Sequence, residues 1–417
     1  MAGESPDDSK SRFLVNARAL AIAQLVSYAI PLMMAPYLAR TLGLEAFGIL
    51  ALGLALVQAG SVVVDYGFNL SATHRIATSK DNKRATNQIL GAVTACKTVL
   101  LLIVCLSVVS YLLLFPDSQK YAPFFLLMLI PLAGQTYQPV WFYQGIELMR
   151  PLTLYTIGSR LIFLCLTVLL VHAPTDLIWV ALANGIGHLA AAAAATYTVL
   201  KLGYRYKWPS WRAMKAAIRE STPFFWSRAA VMTYTSGATL ALGAFAGAAQ
   251  VAQYSAAEQI YRGLQALFSP IPQALYPNMA KERNLNLFAT VLKGTICLSI
   301  VAIAAGILVG EWLLVILFGE EFRGSYSILV VFMGIYAVTM PSMLLGYPLL
   351  GAFGKLDIAN RTVLLGGILQ VLCLIVVYIS GLGALAVATS ILLVELSILC
   401  FRAYYAASLY RKYFAQS

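Results

Sequence analysis

From residue 14 almost to its end, the chain alternates long apolar stretches with short polar breaks. A helix needs about 20 apolar residues to cross a hydrocarbon core of roughly 30 Å. Twelve stretches meet that length, at about 14–39, 44–70, 89–114, 123–145, 153–172, 178–200, 222–246, 252–280, 288–310, 327–350, 361–379 and 384–408. A membrane barrel would instead show alternating segments of about ten residues. The predicted class is therefore an all-α polytopic membrane protein of about twelve transmembrane helices. Composition agrees: 60% of the 417 residues are hydrophobic and 11% are charged, against about 25% charged in a soluble domain.

The polar positions inside the spans fall in helical stripes. Tyr254, Glu258, Tyr261, Arg262 and Gln265 share one face of the eighth span, and Gln58, Ser61, Asp65 and Asn69 one face of the second. Ser221, Arg228, Thr235 and Thr239 run along the seventh. Asn16, Gln24 and Ser27, with Arg18 nearby, mark the first. Such stripes are costly against lipid, so they are expected to face a bundle interior or a wet cavity.

The charges sharpen this picture. Arg18, Lys97, Arg160, Arg228, Arg262, Lys293 and Arg402 lie within spans, against Asp65, Glu258 and Glu395 in the span interiors. An excess of cations at membrane depth suits a multiply charged anion. Arginine fits phosphate because its planar fork donates two parallel hydrogen bonds. Arg262 and Glu395 are expected near mid-span. Arg18, Lys293 and Arg402 are close enough to the span ends to reach the interface. Glu258 and Arg262, spaced i, i+4, form either an internal ion pair or a switch in which the substrate takes Arg262 and frees the acid. Asp65 is open to the same two readings. The stretch Tyr137-Gln-Pro-Val-Trp-Phe-Tyr-Gln144 has the aromatic and amide character of a sugar platform, and equally of an interfacial aromatic belt.

Loop charge predicts orientation. On the side that carries both termini, loops and tails hold 19 Lys and Arg; the opposite side holds Arg40, Lys120 and Arg323. Both termini are therefore expected in the cytoplasm. The net charge of +12 is mostly this topology signal and does not point to nucleic acid. No cleavable signal peptide is expected. The six cysteines show no CxxC or Cys/His pattern, which argues against a metal site or cofactor, and the three histidines are scattered.

The basic stretch 201–220 splits the spans six and six. The predicted division is an N-terminal lobe of spans 1–6 (1–200), a basic cytoplasmic linker (201–220) and a C-terminal lobe of spans 7–12 (221–417). Gly43-Leu-Glu-Ala-Phe-Gly and Gly247-Ala-Ala-Gln-Val-Ala start the second and eighth spans. This faint echo suggests a parallel repeat. Outer loops are short, leaving no room for an external catalytic domain.

Three segments carry a resemblance: Pro31 with Ala35-Pro-Tyr-Leu-Ala-Arg-Thr-Leu-Gly-Leu-Glu-Ala-Phe-Gly48, Asp65-Tyr-Gly-Phe-Asn-Leu-Ser-Ala-Thr73, and Trp141-Phe-Tyr-Gln-Gly-Ile-Glu147. Together they resemble the Wzx-type polysaccharide and O-antigen lipid flippases of the multidrug/oligosaccharidyl-lipid/polysaccharide exporter superfamily. The resemblance implies two pseudo-symmetric six-helix lobes around a cationic cavity, with spans 1, 2, 7 and 8 lining it. It implies a non-enzymatic transporter in a bacterial inner membrane. The expected substrate is an undecaprenyl-pyrophosphate-linked oligosaccharide, moved to the periplasmic leaflet with a proton or sodium ion as coupling partner. Polysaccharide polymerase machinery is a candidate partner. Under this reading Arg18, Lys97, Arg160, Arg228 and Arg262 bind substrate, and Asp65, Glu258 and Glu395 couple the ion. Two rivals remain: a multidrug cation exporter of the same superfamily, and a membrane-embedded polysaccharide polymerase or ligase.

Overall fold

The computed structural model describes residues 6–79 and 82–414; side chains are described at 26 and from 29 onward, except at 80, 81, 116–118, 410 and 412–417. Among the described residues helix is the only regular secondary structure. The α-helices are α1 (Pro6–Asp65), α2 (Phe68–Thr78), α3 (Lys83–Leu114), α4 (Ala122–Leu127), α5 (Leu129–Tyr137), α6 (Val140–Gly145), α7 (Met149–Leu170) and α8 (Leu177–Lys201). They continue as α9 (Trp211–Tyr234), α10 (Ser236–Phe245), α11 (Ala248–Phe268), α12 (Pro270–Glu282), α13 (Leu285–Phe318), α14 (Tyr326–Leu344), α15 (Leu356–Ile379) and α16 (Ala384–Phe414).

Eight described segments are long and apolar enough to cross a membrane: 29–65, 83–114, 149–170, 174–201, 285–318, 320–351, 356–379 and 384–409. The first merges two predicted spans. The remaining predicted spans, 123–145, 222–246 and 252–280, coincide with interrupted helices. One is broken at Met128 and at Gln138–Pro139, one at Thr235 (φ −108°, ψ −104°), and one at Ser269–Pro270. Interrupted helices at membrane depth are tolerated where protein or water satisfies the freed backbone groups.

The chain forms two compact units. Unit 1 comprises 1–34 and 56–228; unit 2 comprises 35–55 and 229–417. The core of unit 1 gathers Phe68, Ile76, Leu90, Trp141, Phe142, Tyr143 and Val199. Trp141, Phe142 and Tyr143 are almost fully buried, and the Tyr143 hydroxyl donates to the Ala195 carbonyl at 2.6 Å. These three aromatic residues are thus core packing groups and not an interfacial belt. Burying an aromatic side chain with its polar tip satisfied is the favourable arrangement.

Unit 2 is built around α14, which lies in a largely buried apolar segment, whereas α13 and α15 keep most of their apolar surface outside. Directly after α14, Leu345–Gly351 widens into a π-helix with a non-helical Gly346. The Ser342 carbonyl, which also accepts from the Leu345 N–H, accepts from Arg402 at 2.9 Å, and Arg402 donates to the Ser342 and Thr362 hydroxyls, each at 3.1 Å. Arg402 is therefore buried in the protein and does not extend to the interface as its position near a span end suggested. The α1 helix breaks at Gly43, whose φ of +74° favours glycine. Within unit 2 the restart is capped by Glu321 Oε2, which accepts from the Leu44 N–H at 3.0 Å. Arg40 donates to the Val315, Ile316 and Leu317 carbonyls at the end of α13. A cation on the last carbonyls of a helix complements its dipole.

Candidate functional site

Asp65 ends α1, just before a sharp left-handed turn at Tyr66 (φ +45°) and Gly67 (φ +84°). The turn requires glycine for a second reason. A Cβ at Gly67 would lie 2.8 Å from the Phe224 Cβ and 2.9 Å from the Ser221 carbonyl oxygen. That close approach seats α9 on the turn. The Tyr66 ring stacks on Phe225 with centroids 4.5 Å apart, and the Ser71 and Ser221 hydroxyls meet at 2.6 Å. Phe225 lies three residues before Arg228, so the packing carries Arg228 to Asp65. The result is a three-membered cluster. Arg228 Nη1 bonds Asp65 Oδ2, and Lys97 Nζ, from the middle of α3, stands 3.5 Å from Asp65 Oδ1. Lys97 and Asp65 are buried, while Arg228 keeps 39% of its side chain accessible. Lys97 also lines a pocket of about 210 Å³ with Thr94, Thr136, Trp141, Thr196 and Tyr206.

A second polar network lies elsewhere in unit 1. His188 on α8 is 7% exposed. Gln135 Nε2 lies 3.3 Å from its Nε2, and Gln138 Nε2 lies 3.2 Å from its Nδ1. Ser61 bonds Gln135 Oε1 at 2.8 Å. A neutral imidazole has one donor and one acceptor. Turning the Gln135 amide over lets its oxygen accept from His188 Nε2–H and its nitrogen donate to Ser61, while Gln138 donates to Nδ1; every partner is then matched. Arg160 on α7 is near enough to interact electrostatically with His188. Its Nε is buried and without a hydrogen-bond partner, and it forms no ion pair among the described residues.

In unit 2 the i, i+4 spacing produces the local pair: Arg262 Nη2 donates to Glu258 Oε1 at 2.8 Å. Glu395 on α16 is buried. Tyr234, Tyr261 and Arg402 lie within its electrostatic reach, yet it forms no ion pair among the described residues. Among these residues no group of three His, Cys, Asp or Glu could hold a metal.

The predicted residues thus separate. Asp65, Lys97 and Arg228 come together; Glu258 and Arg262 form a second pair; Arg160 and Glu395 stand apart; Arg18 lies outside the residues whose side chains are described. His188 is the polar residue that sequence reasoning missed. A signal was available, because His188 is a large polar side chain in a stretch made mostly of small apolar residues.

The model of the family described as "Polysaccharide biosynthesis protein" matches residues 13–282. A protein of Escherichia coli (strain K12) named "Putative O-antigen transporter" is 33% identical over 313 residues, covering 74% of each chain. One of the same name from Shigella dysenteriae is 29% identical over 387 residues, covering 90% of this chain and 95% of its own. Both are named for transport and neither for catalysis. Among solved structures, an inward-facing multidrug resistance MATE family transporter of the MOP superfamily aligns with a TM-score of 0.70 at 15% identity, over 95% of this chain and 99% of its own. That likeness establishes the fold. The chain is a multi-pass membrane protein with the fold of MOP-superfamily transporters, and it belongs to the polysaccharide biosynthesis protein family.

Proposed function

We propose that this transporter moves undecaprenyl-pyrophosphate-linked oligosaccharides from the cytoplasmic to the periplasmic leaflet of a bacterial inner membrane by alternating access, for O-antigen or related surface polysaccharide synthesis. The proposal includes twelve crossings in two six-span lobes (1–200 and 221–417) joined by the 201–220 linker, with both termini cytoplasmic. The names of the two curated relatives support the substrate class.

The observation that carries the reading is the charge imbalance inside unit 1. Lys97 and Arg228 share one acid, Asp65, and Arg160 adds a third cation with no acidic partner among the described residues. A pyrophosphate engages Arg228 and Arg160 and competes with Asp65 for Lys97, offsetting the cost of its own desolvation. Arg262 is held by Glu258 and joins only when that pair opens; Arg18 supplies a further cation. For ion coupling, Asp65 and Glu258 already have cationic partners. Glu395, buried and without an ion pair among the described residues, is the strongest candidate to take up a proton or sodium ion. A multidrug cation exporter shares the fold, but its cargo would meet a surplus of buried bases. No covalent step is required.

The test is leaflet translocation of a lipid-pyrophosphate oligosaccharide in proteoliposomes. Arg160→Ala/Arg228→Ala should slow gradient-driven movement by about tenfold or more, with reconstitution unchanged. Movement at the wild-type rate would discard the site. No movement in the wild type across several glycan headgroups would discard the substrate class.

A further inference from the structure

The segment after α8 is fixed to the protein and presents an unusual surface. From Tyr204 to Lys207 the chain has no regular secondary structure, and half-buried Tyr204 and Tyr206 alternate with exposed Arg205 and Lys207. The Tyr204 ring packs edge-on against Phe142, centroids 5.0 Å apart, and Lys83 Nζ lies 5.5 Å from the Tyr204 centroid. The Arg205 N–H donates to Asn87 Oδ1 at 2.9 Å, and the Lys207 N–H points to the Asn87 carbonyl at 3.4 Å. Gly91 leaves room for the Lys207 carbonyl to lie directly on α3.

Beyond this anchored strip, Trp208 is 98% exposed and Trp211 76% exposed. The first turns of α9 bury Ala217 and partly bury Met214 and Ile218, leaving Arg212, Lys215 and Arg219 outward on one helical face. Six Lys and Arg fall between 201 and 220. The one acid there, Glu220, pairs with Arg75 at 3.3 Å, so it does not neutralise the outward bases.

Two tryptophans standing almost wholly free, held among bases a few residues beyond the end of the apolar helix α8, match one environment better than water. Indole rings favour the headgroup layer, where one side is apolar and the N–H stays wet. Clustered bases favour a layer of anionic phosphates. We propose that Trp208 and Trp211, with Arg212, Lys215 and Arg219, form a membrane-interface anchor that binds anionic phospholipid headgroups. The anchor fixes the height of α9, and hence of Arg228 further along it, relative to the bilayer surface.

The experiment uses the full chain in vesicles whose phospholipids carry bromine near the headgroup, with phosphatidylcholine alone or mixed with phosphatidylglycerol. The emission of Trp208 and Trp211 is the difference between wild type and Trp208→Phe/Trp211→Phe. Bromine should reduce this difference emission by about twofold, and phosphatidylglycerol should deepen the quenching. Arg212→Glu/Lys215→Glu/Arg219→Glu should lose the extra quenching and keep the rest. Difference emission untouched by bromine but quenched by aqueous iodide would overturn the proposal and leave a water-facing surface suited to a protein partner. Bromine quenching that ignores phosphatidylglycerol would overturn the anionic-lipid assignment.

Discussion

The two units handle buried charge differently. In unit 1 the acid Asp65 is shared by cations from two other helices, and Arg160 adds a third positive charge with no acidic partner among the described residues. In unit 2 the interior charges balance: Arg262 answers Glu258 on the same helix, and Arg402 lies within electrostatic reach of Glu395. The long-range cluster ties α1, α3 and α9 together and leaves positive charge in surplus. The local pair holds α11 neutral without binding it to anything else. An anion has more to gain in unit 1, while unit 2 contains the acid with no ion-pair partner among the described residues. Under the proposed function, the contrast would separate two tasks, charge capture and ion response, that a count of buried charges along the chain merges.

The largest effect should come from Asp65. Replacing it by Asn leaves the buried Lys97 ammonium without its counter-ion and removes the brace that joins three helices. Breaking a buried pair from one side costs about 3–5 kcal/mol, with the partly exposed Arg228 placing the loss at the lower end. Thermal unfolding of the reconstituted protein should show a large drop for Asp65→Asn. A drop no larger than that of Glu258→Gln would erase the distinction between the units.

The same contrast marks what the sequence makes legible. The helical class, the long apolar spans and the Glu258–Arg262 pair follow from local spacing, because residues four apart on a helix must be neighbours. The Asp65 cluster does not: its members are 32 and 163 residues apart, and periodicity within one helix says nothing about which helices meet. Burial is similarly hidden. The Trp141–Tyr143 aromatics have the composition of an interface yet lie in the core. Arg402 sits near a span end yet turns inward to the Ser342 carbonyl and the Ser342 and Thr362 hydroxyls. Both outcomes depend on packing between distant segments.

A double substitution tests whether Lys97 depends on Asp65 or stands alone. Once Asp65 is Asn, Lys97→Met removes an unpaired buried charge and fills its place with a side chain of similar length. The double variant should recover about 1–3 kcal/mol relative to Asp65→Asn, as coupled neighbours do in such cycles. Additive losses in unfolding experiments would mean that the 3.5 Å contact carries no coupling, and that Arg228 alone holds the acid.

The smallest effect belongs to Glu258→Gln. Its partner Arg262 is 37% exposed and Glu258 13% exposed, and pairs one turn apart on a helix contribute roughly 0.3–1 kcal/mol. Unfolding should therefore shift little. Substrate handling should change in the opposite sense, because a freed Arg262 offers its fork to phosphate. In the proteoliposome assay Glu258→Gln should lower the concentration of lipid-pyrophosphate oligosaccharide needed for half-maximal movement, and Arg262→Gln added to it should remove that gain. If Glu258→Gln leaves the concentration dependence unchanged, the pair is purely structural, and the charge that meets the anion lies in unit 1 alone.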